Sequence, residues 1–236
     1  MGHDKVLNLG QTCRTTTFIN ASTNTFLHQI MALLLCFAHF CDLHGPTSIL
    51  CCQKTKETTP NECSTCANCQ LILPNDATTL RSNIGEHTYV SSQCAVGEDD
   101  YSKVRKACLK LLSSETTFSD TPLMFGDSSG ATIGYVFKVN DNESRGGIRK
   151  YGFLCLGEEK RLMDNWIPIT ERFESMGGWI KTQVTKHQEM KDKSDWADSF
   201  RREAFTKPKN LVSMTKDDEF YVKVHAGLSD LLNKVA

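Results

Sequence analysis

The strongest apolar pattern in the chain runs from Met31 to Pro46, MALLLCFAHFCDLHGP, and stops at a His44-Gly45-Pro46 turn signal. Strand alternation puts Leu33, Leu35, Phe37, His39 and Cys41 on one face and Ala32, Leu34, Cys36, Ala38 and Phe40 on the other. Both faces are mostly apolar, which predicts a central strand covered on both sides. Thr47 to Cys52 is also strand-like and is expected to pair back as a hairpin. The pattern then fades. Gln53 to Asp100 is rich in Thr, Asn and Pro and reads as a long loop at 53–99, with a short strand possible at His87 to Gln93.

Helical periodicity appears at Tyr101 to Ser114, where Val104, Ala107, Cys108, Leu111 and Leu112 form one stripe and Lys103, Arg105, Lys106 and Lys110 the opposite face. Asp99 and Asp100 suit its N-terminus. Pro122 to Gly126 leads into a second sheet segment, in which Ile133 to Val139 and Tyr151 to Leu156 alternate. Asn140 to Lys150, polar with a Gly146-Gly147 pair, is the hairpin connection between them. Asp164 to Lys186 predicts a second long helix with Ile169, Phe173, Met176, Ile180 and Val184 inward and Trp166 and Trp179 in the core. Its Gly177-Gly178 pair costs on the order of 1 kcal/mol per glycine relative to alanine and marks close packing against the sheet. Gln188 to Pro208 reads as a charged linker. Phe220, Val224, Leu228, Leu231, Leu232 and Val235 make a final amphipathic helix, with Thr215 and Asp218 at capping-box-like spacing before it.

Composition narrows the function classes. With 27 basic and 28 acidic residues in 236, no basic face for nucleic acid is implied. No apolar run approaches the roughly 18 residues of a membrane span, and no charged n-region precedes an apolar h-region. Residues 1–30 read as a flexible N-terminal extension and 31–236 as one folded domain. Eleven cysteines without a secretory signal are read as reduced thiols, some of them metal ligands, and not as a disulfide framework.

Two stretches carry candidate chemistry. Cys63, Cys66 and Cys69 follow Cys-x2-Cys spacing, which lets thiolates reach one tetrahedral ion. Zinc needs a fourth ligand, for which Cys51, Cys52 or His44 are the candidates; unpaired thiols in a loop are the alternative. His39 reads as a buried structural histidine on the first strand and His44 as part of its turn. The four basic residues of the first helix are a solvated face or an electrostatic contact for a partner or anionic membrane. There is no Walker-type glycine loop, and no spacing suggests a hydrolase.

The second stretch carries a family resemblance. His39-Phe40-Cys41-Asp42-Leu43-His44-Gly45-Pro46 resembles the opening of the folliculin family, with Met31 where that family's initiator stands. Cys63 and Cys66 match a Cys-x2-Cys pair in the family's variable loop, and Phe125-Gly126-Asp127 its Phe-Gly-Asp signature. Leu211 to Thr215 resembles a late family segment. Arg145-Gly146-Gly147-Ile148-Arg149-Lys150-Tyr151 resembles its Arg-Gly-x-x-Arg-x-Tyr segment, whose first arginine is the family's arginine finger. The resemblance implies an α/β (α+β) longin-type domain, a mostly antiparallel five-stranded sheet covered by helices, in the short fungal form that lacks the DENN domain. It further implies a GTPase-activating subunit, an enzyme activator that is not itself an enzyme. That subunit forms a heterodimer with a folliculin-interacting partner and acts on a Rag-type small GTPase in amino-acid sensing through TOR complex 1. Localisation would be cytoplasmic, with peripheral recruitment to the vacuole or lysosome membrane, and Arg145 would be catalytic, with no cofactor unless zinc. A non-catalytic longin docking module for small GTPases or trafficking partners is the alternative, and a zinc-stabilised scaffold a third.

Overall fold

The computed structural model describes residues 32–56, 66–113, 119–127, 130–141, 144, 146–194 and 209–235, the side chains of 190–194 excepted. The run that opens the fold is β1, Leu34–Cys41, and it turns directly into β2, Gly45–Lys54. The rest follow as β3 Thr79–Ile84, β4 His87–Ser92, α1 Glu98–Leu112, β5 Pro122–Asp127, β6 Gly130–Asn140, β7 Ile148–Gly157, α2 Glu159–Asp164, α3 Trp166–Ser194, α4 Leu211–Thr215 and α5 Phe220–Val235. The strands form one sheet in the order β3-β4-β2-β1-β7-β6-β5, with every pairing antiparallel. β1 is the middle strand.

Its two faces belong to two cores, as the alternation predicts. Leu33, Leu35 and Phe37 point into a large cluster covered by α3, α4 and α5. Leu34, Cys36 and Ala38 point into a smaller one covered by α1, which lies on β2 and β7. On the larger side the rings of Phe37, Phe137, Tyr151 and Phe153 stack across three strands, Phe37 and Phe153 at 4.7 Å between centroids, and Phe173 of α3 continues the stack 5.4 Å from Phe153. Such contacts add about 0.5–1.5 kcal/mol per pair beyond area burial. Gly177 sits where α3 crosses the sheet: a Cβ there would lie 2.7 Å from Tyr135 Cε1, so the missing side chain is what lets helix and strand approach. Gly178 faces open space and plays no such part.

The sheet has seven strands among the described residues, not the expected five. The additions are β3, which forms a hairpin inside the stretch 53–99 with β4, the short strand expected as possible at His87 to Gln93, and β5, read only as a lead-in. β3 and β5 are edges. An edge strand shares half its surface with water, so β3, TLRSNI, lacks the apolar density that sequence reading relies on. Pro122 starts β5, where a missing N–H costs least. Residues 57–65 of that loop are outside the described set.

The long helix expected at Asp164 to Lys186 is α3, and a short helix that the sequence reading did not foresee, α2, precedes it. α2 ends at Asn165, whose N–H returns to Leu162, and α3 restarts at Trp166 and runs to Ser194, into the stretch read as a linker. Trp166 and Trp179 pack partly buried against the core. Thr215 does not cap α5: its hydroxyl donates to Leu211 O inside α4, and the turn into α5 is made by Asp217, whose Oδ1 accepts from the Glu219 N–H at 3.1 Å. Residues 1–30 lie outside the described residues.

Candidate functional site

The turn after β1 holds the chemistry. Cys41 ends β1 and His44 closes the turn, so the pair has Cys-x2-His spacing. Cys66 and Cys69 approach from the far side of the loop. The three thiols and one imidazole nitrogen lie within 4.8 Å of one another. Cys41 Sγ is 3.7 Å from Cys66 Sγ, Cys66 Sγ 3.6 Å from Cys69 Sγ, His44 Nδ1 3.3 Å from Cys69 Sγ and 3.9 Å from Cys41 Sγ.

Both arms have the same local build. The Leu43 N–H donates to Cys41 Sγ at 3.4 Å. The N–H groups of Asn68 and Cys69 likewise donate to Cys66, and the Cys69 and Gln70 N–H groups to Cys66 O at 2.9 and 3.0 Å, a tight turn about the first cysteine. Partial burial pushes the Cys66 thiol up, but those backbone N–H groups and the Cys69 and Cys41 thiols outweigh it and leave Cys66 below its ordinary value. Cys69 is pushed up, first by burial and then by the neighbouring thiols. His39, buried on β1, meets Cys69 Sγ with Nε2 at 3.2 Å and stacks on Tyr151. Burial lowers its pKa to about 4, helped by the charges of Arg149 and His44.

Of the residues singled out from sequence, Cys66, Cys69 and His44 come together. Cys63 lies outside the described residues. Cys51 and Cys52 point to opposite faces of β2, into the two cores, and neither reaches the cluster. Burial pushes Cys52 up to about 12 and Cys155 likewise, as expected of inert core thiols. Cys41 was missed as a donor. Its signal was the Cys-x2-His spacing itself, hidden because Cys41 also satisfies the strand pattern. Of the described cysteines, eight are free thiols and Cys94 is disulfide-bonded, so the expectation of reduced thiols throughout does not hold at Cys94.

The second site is the β6–β7 hairpin. Asp141 N–H donates to Gly147 O at 3.0 Å, Ser144 N–H to Asp141 O at 2.9 Å and Gly147 N–H to Ser144 O at 3.0 Å. Below this turn Arg149 Nε donates to Asp141 Oδ2 at 2.6 Å, both side chains almost wholly buried. Arg149 is therefore a structural cation under the hairpin. Gly146 and Gly147 have φ of +83° and +73°, a left-handed backbone that glycine adopts freely, and space around both is open. Arg145 lies outside the described residues, between the described Ser144 and Gly146.

The basic face of α1 borders a small depression floored by Phe125, Gly126 and Gly130, with Lys110 Nζ 3.0 Å from Asp127 and Lys103 3.9 Å from Asp100. No helix of the described residues is long and apolar enough to cross a membrane.

Comparison with known proteins gives three findings. The model of the folliculin family, described as "Vesicle coat protein involved in Golgi to plasma membrane transport", matches residues 87–235. The chain is 28% identical over 239 aligned positions to Protein LST7 of Saccharomyces cerevisiae, covering 86% of this chain and 96% of the yeast protein. It is 29% identical over 109 positions to Folliculin-like protein bhd1 of Schizosaccharomyces pombe, covering 39% of this chain and 30% of that protein. The β6–β7 hairpin falls inside the family match, and the Cys/His cluster falls before it.

Proposed function

The chain belongs to the folliculin family, and from that premise we propose that it is the GTPase-activating subunit of a complex with a folliculin-interacting partner. Its domain is of the longin type, and the partner pairs with it through a longin domain of its own. The substrate is a Rag-type GTPase at the vacuole or lysosome surface in amino-acid signalling to TOR complex 1, and Arg145 is the arginine finger. The observation that supports this reading is the β6–β7 hairpin. Its base is fixed by a buried ion pair and three backbone hydrogen bonds, and its tip is bordered by two glycines in open space. A finger must leave its own domain and set a planar, permanently charged guanidinium against phosphoryl oxygens in a partner's site. A rigid base preserves aim, and small flanking residues allow close approach.

The description attached to the family model, vesicle transport, favours a second reading. There the domain is a docking module that recruits a small GTPase without accelerating it. Single-turnover GTP hydrolysis by the GTPase, with the complete two-subunit complex added, separates the two. Acceleration that falls by about 10³–10⁵ in Arg145→Ala, with binding unchanged, supports the finger. Binding without acceleration by either complex supports the docking module.

A further inference from the structure

We propose that Cys41, His44, Cys66 and Cys69 form a closed tetrahedral zinc centre whose role is to hold the fold together. The inference does not depend on the GTPase reading. Two ligand atoms about 2.0–2.3 Å from a tetrahedral ion are separated by roughly 3.4–3.8 Å. The four neighbouring separations in the cluster are 3.3, 3.6, 3.7 and 3.9 Å. The remaining two separations are within 4.8 Å, shorter than the diagonals of a flat square with those edges, so the four donors surround one point closely enough to share a four-coordinate ion. Three thiolates and an imidazole are a zinc donor set, and four protein ligands leave no position for substrate or reactive water, which makes the centre structural.

The surroundings provide for charge as well as position. Three thiolates and Zn²⁺ carry a net charge of minus one. The N–H groups of Leu43, Asn68 and Cys69 are aimed at the first sulfur of each arm, Cys41 and Cys66. His39 stands 3.2 Å behind Cys69 Sγ and can donate Nε2–H to it. Sulfur-directed N–H groups and an outer histidine spread that negative charge and orient the ligands.

The placement says what the centre does. Residues 66–70 have little secondary structure to secure them. Gln93 holds them from one side, donating to Cys69 O at 3.0 Å and accepting from the Leu71 N–H at 3.3 Å. Asn210, which caps α4 through the Ser213 N–H, reaches Ala67 O at 3.5 Å from the other. The ion joins the end of the central strand to this segment. Through Asn210 it steadies the start of the C-terminal helices, whose packing completes the larger core.

The test uses the full chain purified without chelators. Elemental analysis is expected to give about one zinc per chain. X-ray absorption is expected to give three sulfurs at about 2.3 Å and one nitrogen at about 2.0–2.1 Å. That reading needs no variant. Cys63→Ser is expected to keep its zinc, whereas His44→Ala and Cys66→Ser are expected to bind on the order of 100-fold more weakly or worse. His39→Phe, which preserves the stacking on Tyr151, is expected to weaken binding about 10–100-fold, the usual cost of losing an outer partner. Background zinc together with no tetrahedral thiolate absorption on titration with Co²⁺ overturns the proposal. So does a zinc shell of two sulfurs or fewer, or loss of metal in Cys63→Ser with retention in His44→Ala.

Discussion

Replacing Asp141 with alanine tests whether the β6–β7 hairpin is braced from within. Asp141 and Arg149 are 5% and 9% exposed at the side chain and 2.6 Å apart. At an effective dielectric of about 20 and a charge separation near 4 Å, their attraction is about 4 kcal/mol, offset by the cost of taking both groups from water. The variant removes the attraction and leaves the cost on Arg149. The expected loss is therefore about 3–5 kcal/mol, a large share of the 5–15 kcal/mol that folds an ordinary domain. In urea, with a slope near 2 kcal/mol/M, the unfolding midpoint falls by about 1.5–2.5 M at unchanged slope. The loss should persist in 1 M salt, because buried charges are screened little. The double variant Asp141→Leu with Arg149→Met should recover most of it, since replacing both members by apolar groups removes the unpaired charge. A loss under about 1 kcal/mol for the single variant, the worth of an exposed pair, would refute the argument.

Two further outcomes follow from the core. His225 is buried between Ser82 and Ser91, its ring nitrogens 2.8 and 2.7 Å from their hydroxyls, and burial lowers its pKa to about 4. The unfolded chain then binds more protons than the folded one between about pH 4 and 6.5, so this contribution is whole above pH 6.5 and is lost as pH falls through that window. From pH 7.5 to 5 it amounts to about 2 kcal/mol, by which the pH dependence in urea titrations of the native chain should exceed that of His225→Gln, where His39, lowered to about 4 as well, still contributes. Gly178→Ala should stabilise α3 by about 1 kcal/mol, while Gly177→Ala should lower stability despite the same gain in helix propensity, because its Cβ meets the Tyr135 ring at 2.7 Å. Thermal melts of the two variants against the parent decide it; equal shifts would remove the close-packing account of Gly177.

What sequence reading recovers tracks how much of each element is buried. β1, β2, β6, β7, α1 and α5 carry dense apolar patterns, and each was legible with its inward residues. β3, β4 and β5 were hidden or blurred because they lie toward the sheet margins, where polar residues are tolerated. The start of α3 was legible to within two residues, but α2 before it was not, for a different reason. It has six residues and one buried side chain, Leu162, too few to show a helical period. At the cysteine cluster the sequence supplied one arm and the turn histidine. It could not supply Cys41, because the same residue serves two patterns and the strand pattern claimed it. Nor could it discard Cys51 and Cys52, which fail only because β2 turns them into the cores.

The position of β1 also bears on how the chain is born. Leu34 pairs with Gln53 on one side but with Leu156 on the other. The strand made first can find β2 within moments, yet its second edge stays open until β7 has left the ribosome. During that interval an apolar strand, among the stickiest in the chain, is displayed with unpaired N–H and C=O groups. Loop closure over such a span makes folding slow compared with helical domains of equal size. Nascent chains stalled before residue 148 should accordingly be chaperone clients, and those extending past Gly157 should be released from that dependence.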